Sequence, residues 1–113
     1  MTATSTLDAQ IPELIRQLEN ALRGGYNLIQ AFGIVERDMS APMCDEAGHL
    51  ITDLRGGVPF RDACTNWVSR VGSSDLDLVI ACLKVQMDVG GNLADKLNLL
   101  GQIMAQRTLV KQA

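Results

Sequence analysis

The sequence predicts an all-α fold, a compact six-helix antiparallel bundle built from three helical hairpins, and three observations support it. Apolar residues recur with the helical period, and no useful stretch alternates with the period of two that a strand requires. Aromatic residues are 4% of the chain against 47% hydrophobic residues overall, so Leu, Ile, Val, Ala and Met must build the core, a composition suited to packed helices. Three glycine pairs, Gly24-Gly25, Gly56-Gly57 and Gly90-Gly91, begin 32 and 34 residues apart (24 to 56, 56 to 90), and each closes one helix-periodic stretch shortly before the next.

Residues 1–9 are small and polar and are expected to form a disordered tail ahead of a folded domain spanning 10–110, with a second short tail at 111–113. The first helix is predicted from Ile11 or Pro12 to Arg23. Pro12 suits a first turn, where its missing N–H costs nothing, and Ile11, Leu14, Ile15, Leu18, Ala21 and Leu22 share one face. Gly24 is expected in the left-handed position that ends the helix. Asn27 caps the second helix, with Gln30 completing a capping box, and Leu28, Ala31, Phe32 and Val35 form its stripe, ending near Asp38. Pro42 opens the third helix, whose inward residues are Met43, Ala47, Leu50, Ile51 and Leu54.

After Gly56-Gly57, Pro59 marks the fourth helix, with Phe60, Ala63, Cys64, Trp67, Val68 and Val71 facing inward. Ser74 with Asp77 resembles a capping box for the fifth helix. That helix (Leu76, Val79, Ile80, Leu83, Val89) is apolar around much of its circumference and is therefore expected to be central. Gly90-Gly91 ends it, and Asn92 caps the sixth, which turns Leu93, Leu97, Leu100, Ile103 and Met104 to the core. Short turns place consecutive helices side by side.

Composition narrows the function. The chain of 113 residues is one domain with a formal net charge of −3, and it has no Lys/Arg block, so nucleic acid is not an expected partner. Cys44, Cys64 and Cys82 are odd in number and widely spaced, which suits neither a disulfide framework nor a CxxC metal site. The N-terminus lacks the basic and apolar regions of a secretory signal. The most apolar stretch, Leu76 to Val89, falls short of the roughly 20 residues of a bilayer span.

No catalytic, cofactor-binding or metal site is expected. His49 is the only histidine; a Cys44/Asp45/His49 cluster would supply three ligands where zinc takes four, so a solvated or half-buried histidine is the better reading. Gly90-Gly91-Asn92 could hold an anion at a helix N-terminus, but it lacks a P-loop lysine and a preceding strand, which leaves a turn and a cap. The cysteines lie on inward faces or mid-helix, with a single histidine to activate them. Arg23 and Arg55 each precede a glycine pair. They complement the helix dipole there, and from one end of the bundle they could also meet an acidic partner.

The segments ALRGGYNLIQAFGIVERDMSAP, LRGGVPFRDAC and MDVGGNLADKLNLLGQIMAQR resemble the type II secretion system F domain (the GspF/PilC family) over about residues 11–110, with spacing most similar to the TadB/TadC-type proteins of Tad (Flp) pilus systems. Ala21 to Ala31 and Gly90 to Leu97 carry the most specific likeness; Lys96 and Cys64 depart from the pattern. The resemblance implies a non-enzymatic inner-membrane platform protein whose six-helix domain lies on the cytoplasmic face between transmembrane helices that are missing here. Its implied partners are a hexameric secretion ATPase and other platform or pilus proteins, with homo- or hetero-oligomers, no cofactor and no nucleic acid. Arg107 and Lys111 fit the basic flank of a span on its cytoplasmic side. The alternative is a stand-alone helical-repeat adaptor, since a period of ~33 residues is similar to tetratricopeptide arrays, although their Trp-x2-Leu-Gly-x2-Tyr signature is absent.

Overall fold

Leu7, inside the stretch expected to be a disordered tail, is 2% exposed and seats a seven-residue helix, α1 (Ala3–Ala9). The apolar period starts at Leu7, one turn ahead of Ile11 and two ahead of Leu14, so the core face extends past the predicted boundary. The computed structural model describes residues 3–89 and 92–112, with side chains at 6–85 and 92–106; Gly90-Gly91 and the Val89 side chain lie outside the described residues. Six further helices follow: α2 (Ile11–Arg23), α3 (Leu28–Asp38), α4 (Met43–Arg55), α5 (Phe60–Val71), α6 (Ser74–Val89) and α7 (Leu93–Gln112). The all-α expectation holds among the described residues, with seven helices in place of six. The last helix, α7, continues to Gln112, into the stretch 111–113 expected as a short tail.

The central helix is α2, not α6. Ile11, Leu14, Ile15, Leu18 and Ala21 of α2 are all buried, and the helix packs against α1, α3, α6 and α7. On α6, Leu76, Val79, Ile80 and Leu83 are buried, whereas Leu78 and Val85 are 45% and 56% exposed, so its all-round apolarity reflects two apolar faces rather than a central position. The α2–α7 contact is close: a Cβ on Gly101 would lie 3.4 Å from Cγ2 of Ile15. On α7, Leu97 and Met104 are buried as predicted and Ala94 joins them; Ile103, expected inward, is 53% exposed.

This α2–α7 contact also decides against an open repeat array, in which each unit touches only its neighbours. The radius of gyration, 13.5 Å, is that of a closed domain of this length. Aromatic rings knit α3 to α5: Phe32 meets Trp67 edge-on with ring centroids 5.7 Å apart and Phe60 at 6.2 Å. Among the described residues, no helix is long and apolar enough to cross a membrane.

At the start of α2, side chains tie together segments distant in sequence. Gln10 donates from Nε2 to the Ser40 carbonyl (2.8 Å) and accepts at Oε1 from the Met43 N–H (2.9 Å), so it supplies the cap that the N-cap residue of α4, Pro42, lacks. The cap of α6 is Ser73 rather than Ser74. Its buried hydroxyl accepts from the Leu76 N–H (3.0 Å) and donates to Oδ1 of Asp8 in α1. The helix starts one residue earlier than the Ser74–Asp77 spacing suggested, because this hydroxyl reaches the third amide of the first turn.

Candidate interaction surface

The other end of the bundle is built by the glycine turns. Gly24 and Gly56 have φ of −79° and −80°, and the left-handed residues are the second of each pair, Gly25 (φ 94°) and Gly57 (φ 93°). The expectation for Gly24 is therefore corrected by one position. The reason is a pair of backbone bonds that wrap the helix end: Gly25 N–H to the Leu22 carbonyl (3.1 Å) and Tyr26 N–H to that of Ala21 (3.0 Å). Gly57 to Leu54 (3.1 Å) and Val58 to Asp53 (3.0 Å) repeat the pattern at α4.

The next helices start at once. Asn27 Oδ1 accepts from the Gln30 N–H (2.8 Å), and Gln30 Oε1 accepts from the Asn27 N–H (2.9 Å), which is the predicted capping box. Asn92 caps α7 by accepting from the Asp95 N–H (3.2 Å). The prolines also mark helix starts: Pro12 lies in the first turn of α2, while Pro42 and Pro59 stand immediately before α4 and α5.

These starts converge. Asn27, Leu28 and Ile29 of the α3 start and Phe60 of the α5 start line one groove of about 350 Å³. The α7 start meets the end of α2 in a second groove lined by Leu22, Arg23, Asn92, Leu93 and Ala94. One end of the bundle thus carries three helix N-termini and their partial positive charge. Tyr26 and Ile29, each 51% exposed, stand there beside the apolar groove.

The two arginines behave differently. Arg23 binds Oε2 of Glu19 (3.0 Å) and Oδ1 of Asp95 (2.9 Å), fastening α2 to α7; Asp95 first and Glu19 second raise its pKa. Arg55 is exposed and makes no ion pair among the described residues. The glycine turns at Gly90 and Gly91 lie outside the described residues.

The residues weighed for chemistry do not converge. Glu36, Cys44, Asp45, Gly48, His49 and Thr52 line an open groove of about 500 Å³, but no group of three metal-binding side chains forms among the described residues. Burial raises the thiols of Cys44 and Cys82, and raises the buried Cys64 to about 11. Sequence reasoning passed over Gln10 and Asp8, and it set the cap of α6 at Ser74 instead of Ser73. A serine three residues before Leu76 is a recognisable cap signal, whereas nothing local to Gln10 points to partners 30 and 33 residues away.

The sequence model of one protein family, described as type II secretion system (T2SS), protein F, matches residues 14–113. Neither the comparison with curated proteins nor that with solved structures finds a match. The family match covers all of the chain except residues 1–13, which include α1 and the first residues of α2. The chain belongs to the type II secretion system protein F family.

Proposed function

We propose that this chain is the cytoplasmic helical domain of an inner-membrane platform protein of a Tad-type pilus or type II secretion machine. There it couples a hexameric secretion ATPase to pilin assembly or secretion and catalyses no reaction itself. The observation that carries this reading is the family match over residues 14–113. The geometry supports a docking role: the glycine-turn end offers Tyr26, Ile29 and the Asn27–Phe60 groove as an apolar surface, with the exposed Arg55 next to the second turn in sequence. The turns themselves leave little slack between helices, which suits a body that passes displacement on rather than absorbing it.

The test is capture of the cognate secretion ATPase by the intact platform protein, in its nucleotide-free and ATP-bound states. Ile29→Asp and Tyr26→Ala should each weaken that complex about tenfold or more, as loss of a central apolar anchor does. Intact platform protein that retains no ATPase in either state sinks the coupling role.

A further inference from the structure

The first two helices are held to the bundle very unequally. Ile11, Leu14, Ile15, Leu18 and Ala21 of α2 are all buried, whereas Leu7 alone is buried among the described side chains of α1. A helix of seven residues is too short to persist in water on its own backbone bonds, so tertiary contact has to hold it. Besides the seat of Leu7, that contact includes the bond from the Ser73 hydroxyl to Oδ1 of Asp8.

The backbone between the two helices breaks at Gln10, whose φ of −90° and ψ of −7° depart from ideal helix angles. Its N–H reaches back to the Leu7 carbonyl (2.9 Å), and its own carbonyl accepts from the Leu14 N–H (2.9 Å). Its side chain is pinned to Ser40 and Met43 at the start of α4 (2.8 and 2.9 Å). The chain from Gln10 onward is thus fastened to the bundle at the point where α1 joins it, and hinges are element-terminal residues of this kind. Ser73 links the far side of α1 to α6. Its hydroxyl, 1% exposed, accepts from the Leu76 N–H (3.0 Å) while it donates to Asp8. A hydroxyl that donates to a carboxylate is polarised into a stronger acceptor, so this latch tightens the cap of α6.

We infer that α1 is a hinged strap. It swings off the bundle about Gln10 as one unit, unseating Leu7 and releasing Ser73, while α2 to α7 stay folded. Opening loosens the first turn of α6 and leaves the start of α4 capped by Gln10. In the proposed coupling role, on which this use of the strap rests, α1 is the compliant joint of an otherwise stiff body. The strap is measured on the chain alone, so its failure and that of ATPase capture are separately visible.

The experiment is native-state hydrogen exchange of the full chain, followed amide by amide as urea is raised below the unfolding transition. The amides of Leu7 to Gln10 should exchange about a hundredfold or more faster than those of Leu14 to Leu18. Their urea dependence should be weaker, because opening exposes one short helix rather than the core. Leu7→Ser should speed the α1 amides about tenfold or more. Asp8→Ala should speed them and the Leu76 amide about three- to tenfold. Asp8→Asn keeps an oxygen that accepts from Ser73 and should stay within about twofold of wild type, as should the Met43 amide in every variant. Wild-type α1 amides that exchange only with the core, at the same urea dependence, overturn the inference, whether or not Leu7→Ser folds. So does a Met43 amide released together with α1, which would move the hinge off Gln10. An Asp8→Asn chain as fast as Asp8→Ala overturns the latch.

Discussion

The two ends of this bundle are closed by different means. At the glycine-turn end the backbone does the work: Gly25 and Gly57 take left-handed conformations, and each helix hands over to the next through bonds spanning three to five residues. At the opposite end side chains do it, with Gln10 joining α2 to the start of α4 and Asp8 and Ser73 joining α1 to α6 across 65 residues. Local closure leaves side chains such as Tyr26 and Ile29 exposed at the surface. Long-range closure consumes them. The end that can face a partner is thus the one whose structure needs few side chains of its own.

The largest effect expected from breaking this contrast is at the side-chain end. Leu7→Ala should cost about 2–5 kcal/mol in urea unfolding, since it empties a buried site and unseats α1. An unchanged midpoint would mean that α1 carries no weight in the fold. Next, Gln10→Ala should cost about 1–3 kcal/mol, because the Met43 N–H loses its acceptor and the Ser40 carbonyl keeps only the Cys44 N–H (3.2 Å). Amide exchange should localise that loss to the first turn of α4 and leave the glycine turns protected.

At the backbone end, Gly25→Ala should destabilise by about 1–2 kcal/mol, since φ of 94° opposes a Cβ. Gly24→Ala, at φ −79° with its nearest neighbour 3.4 Å away, should be neutral or stabilise by up to about 1 kcal/mol. Equal effects at the two positions would refute the assignment of the left-handed residue. The smallest effect is confined to alkali. The Cys64 thiol titrates near 9.0 when unfolded and at about 11 when folded, so its contribution is fully present below pH 9 and is lost as pH rises through 11. Cys64→Ala should flatten the fall in stability across that window.

What was legible in the sequence follows the same division. The helix periodicity, the Asn27–Gln30 box and the glycine pairs are local signals, and each helix from α2 to α7 could be read from them. The left-handed glycine was misplaced by one residue because composition alone does not tell Gly24 from Gly25; the wrapping bonds from Gly25 and Tyr26 decide it. Gln10 was invisible because its partners lie 30 and 33 residues away. The mistaken centrality of α6 has a third cause: a helix apolar on two faces reads the same whether the second face meets the core or the solvent. Arg23, read beside Arg55, turned out to be held by Asp95 of α7, a partner 72 residues distant.

Trp67 gives this molecule an optical handle. It is the only tryptophan in the chain, it is 0% exposed, and its indole N–H has no hydrogen-bond partner among the described residues. An indole held dry and near-perpendicular to the Phe32 ring emits to the blue of one in water, so native fluorescence reads directly the packing of α3 on α5. Unfolding of that contact should show as a red shift without any label, and excitation beyond the absorption band of Tyr26 makes Trp67 the one reporter.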